Sequence, residues 1–170
     1  MSTTTTDHES LPRPAALWKQ MTETQRVDAA RAFWNDSESL MEQAEVLALI
    51  ARRLNFRLKT VQGLSLDRKV KHLMAMGNVS DAVAGRLLVT YHLVSERPMM
   101  AAFLDELSIT HDNGLIADTE LSRPEQAVLA AAAGKLRASL PRERTDLYFS
   151  TLVLQDPETW SGLLEIIHAA

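Results

Sequence analysis

Ser39-Leu-Met-Glu-Gln-Ala-Glu-Val-Leu-Ala-Leu-Ile-Ala-Arg-Arg-Leu-Asn55 is the stretch on which the fold class turns. Leu40, Ala44, Leu47, Ala51 and Leu54 recur at three- and four-residue spacing, which stacks side chains on one face of an α-helix. Val46 and Ile50 widen that stripe. A helix apolar around so much of its circumference is expected at the centre of the molecule.

The same period extends in both directions, divided by capping residues. Towards the N-terminus, Pro12 and Pro14 precede a short helix with Leu17, Trp18 and Met21. Thr22 and Gln25 form a capping box for a helix with Val27, Ala30 and Trp34 on one face, and Asn35-Asp36-Ser37 breaks the pattern. Beyond Asn55, residues 60–66 read as a loop, and a helix from Asp67 to Met76 buries Val70, Leu73 and Met74 before a left-handed stop at Gly77. Ser80 caps a helix with Val83, Leu87, Tyr91 and Val94 on one face. Pro98 opens the next, with Met99, Met100, Phe103, Leu104 and Leu107 turned inward. Residues 110–121 are polar and irregular. Ser122 and Glu125 spell a second capping box, before a helix to about Ser139 lined by Ala127, Ala131, Ala132 and Leu136. Ala130–Ala133 with Gly134 predicts close approach of a neighbouring helix, inside the fold or in a homodimer. Pro141 opens a helix with Leu147, Leu152 and Leu154, and Asp156-Pro157 opens a terminal one with Trp160, Leu163, Leu164 and Ile167.

Leu152-Val153-Leu154 is too short for a strand, and no 20- to 50-residue period marks a solenoid. The expected fold is therefore all-α: a single compact irregular bundle of about eight short helices over residues 12–170, preceded by a disordered tail over residues 1–11. Composition agrees. Among 170 residues, 46% are hydrophobic and 24% charged, the balance of an ordinary globular chain. Six Gly, six Pro and 5% aromatics are thin for an all-β fold. The absence of Cys excludes disulfides, iron–sulfur clusters, thiol nucleophiles and Cys-based zinc sites. MSTTTTDHES at residues 1–10 has neither the basic nor the apolar region of a secretory signal. The apolar runs at residues 44–51 and 127–133 fall far short of the ~20 residues that span a bilayer. A cytoplasmic protein with no membrane association is the expectation.

Charge is distributed unevenly. Arg52, Arg53, Arg57, Lys59, Arg68, Lys69 and Lys71 stand against one acid, Asp67; that segment is +6, leaving −10 on the rest of a chain whose total is −4. Concentrated positive charge on an acidic protein suits an acidic or phosphate-bearing partner. The plainer alternative is a solvated face, with Arg52 and Arg53 complementing a helix C-terminus and Glu38, Glu42 and Glu45 pairing with nearby basic side chains.

Residues 72–88 loosely resemble a helix-turn-helix unit, with Leu73 and Met76 as core, Gly77 in the turn, Ser80 opening a recognition helix, and Asp81, Ala82, Gly85 and Arg86 facing DNA. The match is poor: Asn78 lengthens the turn, Asp81 would meet a polyanion, and Gly85 weakens the helix. A second polar cluster is Ile109-Thr-His111-Asp112-Asn113-Gly114-Leu-Ile, with Asp105, Glu106, Asp118 and Glu120 nearby. Its bland explanation is a solvent-facing turn; the sharper one is a ligand pocket built from His92, Asp105, His111 and Asp112. It lacks the oxygen-ligand pattern of a calcium loop. His8, His72, His92, His111 and His168 are scattered, and none makes the His/Glu helix spacing of a zinc site. No phosphate loop, nucleophile elbow or di-iron motif occurs. No catalytic residue, metal or cofactor is therefore expected. Met74, Met76, Met99 and Met100 read as core filler before they read as an adaptable surface.

The leading expectation is a non-catalytic helical interaction or regulatory module whose basic segment engages an acidic protein. A helix-turn-helix-like DNA-binding regulator is the first alternative, and a small-molecule-binding protein or enzyme with a pocket near His92 and His111 the second.

Overall fold

A computed structural model describes residues 11–117 and 121–169. The expected tail thus lies outside the described residues, except for Leu11. The fold is a compact all-α assembly: α1 (Pro14–Gln20), α2 (Glu23–Trp34), a 3-10 turn (Ser37–Ser39), α3 (Leu40–Leu54), α4 (Leu58–Gln62), α5 (Leu66–Ala75), α6 (Asp81–Ser95), α7 (Arg97–Glu106), α8 (Gln126–Ser139), α9 (Arg142–Gln155), α10 (Pro157–Trp160) and α11 (Leu163–His168). Between α7 and α8, β1 (His111–Asp112) pairs antiparallel with β2 (Leu115–Ile116), so part of the segment expected to be irregular is a minimal hairpin.

Several helix boundaries follow the capping chemistry. The Thr22–Gln25 box is closed in both directions, at 3.1 and 2.9 Å. Ser80 Oγ accepts the Val83 N–H at 3.2 Å, and the Asp156 carboxylate accepts that of Thr159 at 3.3 Å. Asn55, with φ of 54°, ends α3 in the left-handed region that Asn tolerates better than most residues. Other expectations are corrected. Helix α4 takes in residues 60–62, the first part of the loop expected over 60–66. Helix α5 ends through an extended Met76, without a left-handed Gly77. The Ser122–Glu125 box does not form, because α8 begins one residue after Glu125. The terminal helix is broken at Ser161–Gly162 into α10 and α11.

The larger correction concerns the centre. Helix α3 buries Val46 and Ile50, but Leu40 and Met41 are 64% and 85% exposed. The buried axis is made instead by α6 and α9, which enclose Val83, Ala84, Leu87, Leu88, Thr90, Tyr91 and His92 on one and eight of nine consecutive positions, Thr145 and Leu147–Val153, on the other. Their apolar and small polar side chains are spread around the circumference, which is the signature of a helix with neighbours on several sides.

The buried apolar side chains form two clusters where one core was expected. The first joins α1–α6 around Phe33, Ile50, Leu73, Leu87 and Leu88, and the second joins α7–α11 around Phe103, Leu104, Leu129, Phe149 and Trp160. The seam between them runs along α6 and α9. Leu147 of α9 reaches into the first cluster, while Leu93 of α6 packs against the second. Polar residues also line this seam. His92 lies between Tyr91 of the first cluster and Tyr148 of the second, at ring-centroid separations of 5.1 and 5.6 Å. Met74 and Met76 support the first cluster and Met99 and Met100 the second, so the four methionines fill gaps in two cores.

Candidate functional site

The basic segment spans the end of α3, α4 and most of α5. None of its seven cations makes an ion pair with a carboxylate among the described residues, although pairing with Glu38, Glu42 or Glu45 was the plainer expectation. Glu45 instead accepts a hydrogen bond from Ser80 Oγ at 2.9 Å, and Asp67 is held by Arg31 at 2.7 Å. Arg53 donates to the Ala75 carbonyl at 3.1 Å, and the Lys69 ammonium lies 5.7 Å from the centre of the Trp34 ring. Arg52, Arg57, Lys59, Arg68 and Lys71 are exposed.

Beside these charges lies an apolar surface that includes Leu40 and Ala44, which the sequence pattern had placed on the inward stripe of α3. Met41, Ala44, Ala48 and Arg52 follow one another turn by turn along the outer side of α3, all exposed. Leu40 (64%), Leu49 (37%), Phe56 (50%) and Leu58 (47%) are exposed in the same segment. Among the described residues, five of the nine large exposed hydrophobics therefore fall between residues 40 and 58, in the same stretch of chain as Arg52, Arg53 and Arg57. The physical reason for the misassignment is plain. An alanine- and leucine-rich helix has two apolar faces, and only the face bearing Val46 and Ile50 meets a neighbour.

The residues expected to build a ligand pocket divide into two places. His111 Nδ1 accepts the Gly114 N–H at 2.9 Å, so its proton sits on Nε2, which donates to Asp105 Oδ1 at 2.7 Å. Both ring nitrogens are thus occupied in latching the hairpin turn to α7. Arg97 secures the same turn by donating to the Asn113 and Asp112 carbonyls at 3.1 and 3.4 Å. Asp112 contributes its backbone there, and its side chain is exposed. Asp118 and Glu120 lie outside the described residues. The cluster is a structural clasp.

His92 is elsewhere, in the seam. It lines a cavity of about 360 Å³ with Val89 and Leu93 of α6, Met100 of α7, Leu115 and Ile116 of the hairpin, Tyr148 and Leu152 of α9, and Trp160 of α10. The imidazole is 2% exposed. Its Nδ1 is 2.7 Å from the Leu88 carbonyl, which only accepts, so Nδ1 carries the proton and Nε2 is left as a bare acceptor. Among the described residues, no hydrogen-bond partner reaches that buried Nε2. Burial pushes the pKa of His92 down from 6.5 to about 4, against the opposing effect of the Leu88 bond, so the ring is neutral near pH 7. Burial likewise drives the Tyr148 phenol well above its usual range. The sequence pointed to His92 but gave no sign that its partners would be Tyr148 and the hairpin, because those contacts cross the chain.

At the mouth of the same region, Arg86 reaches Asp36 at 2.8 Å and Ser39 Oγ at 3.1 Å. Burial pushes the Asp36 carboxyl up, but hydrogen bonds from Ser39, Arg86 and the Glu38 N–H, together with the Arg86 charge, hold it below its ordinary 3.8. Arg86 was a candidate phosphate contact in a recognition helix. Here it ties α6 to the 3-10 turn, and Asp81 accepts the Ala15 N–H at 3.1 Å; Asp81 and Ala82 are exposed, and Gly85 and Arg86 half-buried. Among the described residues, no three His, Asp or Glu side chains converge as a metal site, and no helix is long and apolar enough to cross a membrane. Comparison with protein-family profiles, curated proteins and solved structures gives no match.

Proposed function

We propose that this protein is a non-catalytic interaction module of the cytoplasm, and that its α3–α5 face docks an acidic segment of another protein. One juxtaposition carries the reading: an unpartnered apolar helix side, with Met41 85% and Leu40 64% exposed, adjoins seven cations that no carboxylate among the described residues neutralises. Isolated exposed apolar residues need no explanation, but a run of them along one segment marks a contact surface. The complementary occupant is an amphipathic acidic segment, whose apolar side would cover α3 while its carboxylates meet Arg52, Arg53, Arg57 and Lys59. The remaining −10 of the chain opposes free polyanions at long range and favours a partner that also supplies apolar area.

The test is fluorescence anisotropy with a labelled synthetic helix carrying Leu and Phe on one side and Glu elsewhere. Poly-glutamate and a mixed DNA duplex serve as controls. The expected result is saturable binding of the helix, weakened by salt, by the Arg52→Glu/Arg53→Glu/Arg57→Glu variant, and separately by Met41→Asp. Equal binding of poly-glutamate or DNA, or indifference to both variants, would overturn the proposal.

A further inference from the structure

A buried imidazole nitrogen with no partner is costly, because its hydration is lost and nothing replaces it. His92 Nε2 is such an atom, and it belongs to a side chain that lines a cavity large enough for a small organic molecule. The other polar groups around that cavity are largely engaged. Arg86 is neutralised by Asp36 at 2.8 Å, Thr151 Oγ1 donates to the Leu147 carbonyl at 2.8 Å, and the Asp156 carboxylate caps α10. No buried unpaired charge awaits an ion. What is left is an aromatic and aliphatic wall whose one buried unpartnered polar atom, among the described residues, is His92 Nε2; the Tyr148 hydroxyl and the exposed Glu38 carboxylate and Gln155 amide also line it.

We infer that this cavity binds a small, uncharged, largely apolar molecule that donates one N–H or O–H to His92 Nε2. The direction of the hydrogen bond follows from the tautomer: with the proton on Nδ1 and committed to Leu88 at 2.7 Å, Nε2 can only accept. Tyr148 and Trp160 offer faces for a flat ring, and the hairpin closes over the site through Leu115 and Ile116. This site is separate from the α3–α5 surface, so either can fail without the other.

The matched probes are indole and benzofuran, which share a bicyclic outline and differ by the N–H donor. Nitrogen-15 spectra of the imidazoles, recorded during titration of the intact chain, should show a saturable upfield shift confined to His92 Nε2 with indole. Indole should bind about tenfold more tightly than benzofuran, the usual worth of one buried hydrogen bond. In His92→Phe, which keeps a ring and removes the acceptor, that preference should disappear. Three results would overturn the inference: no saturable shift with indole, which leaves the nitrogen to water; equal affinity for the two probes; or an unchanged preference in His92→Phe. If that variant does not fold, the wild-type nitrogen shift decides alone.

Discussion

Arg144 of α9 grips Glu96, at the junction of α6 and α7, through the Nε–Nη2 edge of its guanidinium: Nη2 lies 2.9 and 3.0 Å from the two carboxylate oxygens, and Nε lies 3.2 Å from one of them. The Glu96 side chain is 7% exposed and that of Arg144 38%. This bidentate clasp ties the chain where the first cluster gives way to the second. Removing one member leaves the other partly desolvated and unmatched. Arg144→Met is therefore expected to cost about 2–3 kcal/mol, below the cost for a fully buried pair because water reaches the arginine. Urea unfolding of the single and double variants would measure it, and additive losses would deny the coupling.

His92 makes stability depend on acid. The unfolded chain takes up a proton on this ring below about 6.5, whereas the folded one resists until about 4. Protons therefore favour the unfolded state across that window, and stability falls as pH drops through it, by up to about 3 kcal/mol. His92→Phe should lose this share of the slope. Denaturant midpoints at several pH values between those limits, compared for the two proteins, provide the measurement; parallel curves would count against a buried neutral ring.

Gly114 has φ of 88°, and a Cβ there would stand 2.7 Å from Met100 Cβ and 3.0 Å from the Arg97 carbonyl. Backbone strain and steric overlap act together, and neither neighbouring atom is the end of a flexible chain. Gly114→Ala is expected to destabilise by about 2–4 kcal/mol. Hydrogen exchange should show the loss first at the hairpin and α7.

The position of the core can be probed directly. Leu88, fully buried in α6, should cost about 2–5 kcal/mol when cut to Ala. Leu40, 64% exposed on α3, should cost no more than about 0.5 kcal/mol. Reversed magnitudes from thermal melts would restore α3 to the interior.

Much of the architecture was legible locally. Caps such as Thr22–Gln25, Ser80 and Asp156 satisfy backbone donors within three residues of themselves, so the information that starts these helices is contiguous in the chain. The same holds for Asn113-Gly114, whose positive φ values of 46° and 88° turn the hairpin. Where such local motifs competed with tertiary packing they misled: Ser122 and Glu125 have the capping-box spacing, yet α8 starts beyond them.

Hydrophobic period and end chemistry alone determined that this chain is helical, where most helices begin, and that positive charge gathers between Arg52 and Lys71. Tertiary structure decided which apolar faces are covered, why the cations stay unpaired, and how His92 came to lie between Tyr91 and Tyr148 while His111 became a latch. The reason is one of range. A helix is specified by residues three and four apart, whereas burial and pairing depend on which distant helix arrives alongside, and α3, apolar on two sides, meets neighbours on only one.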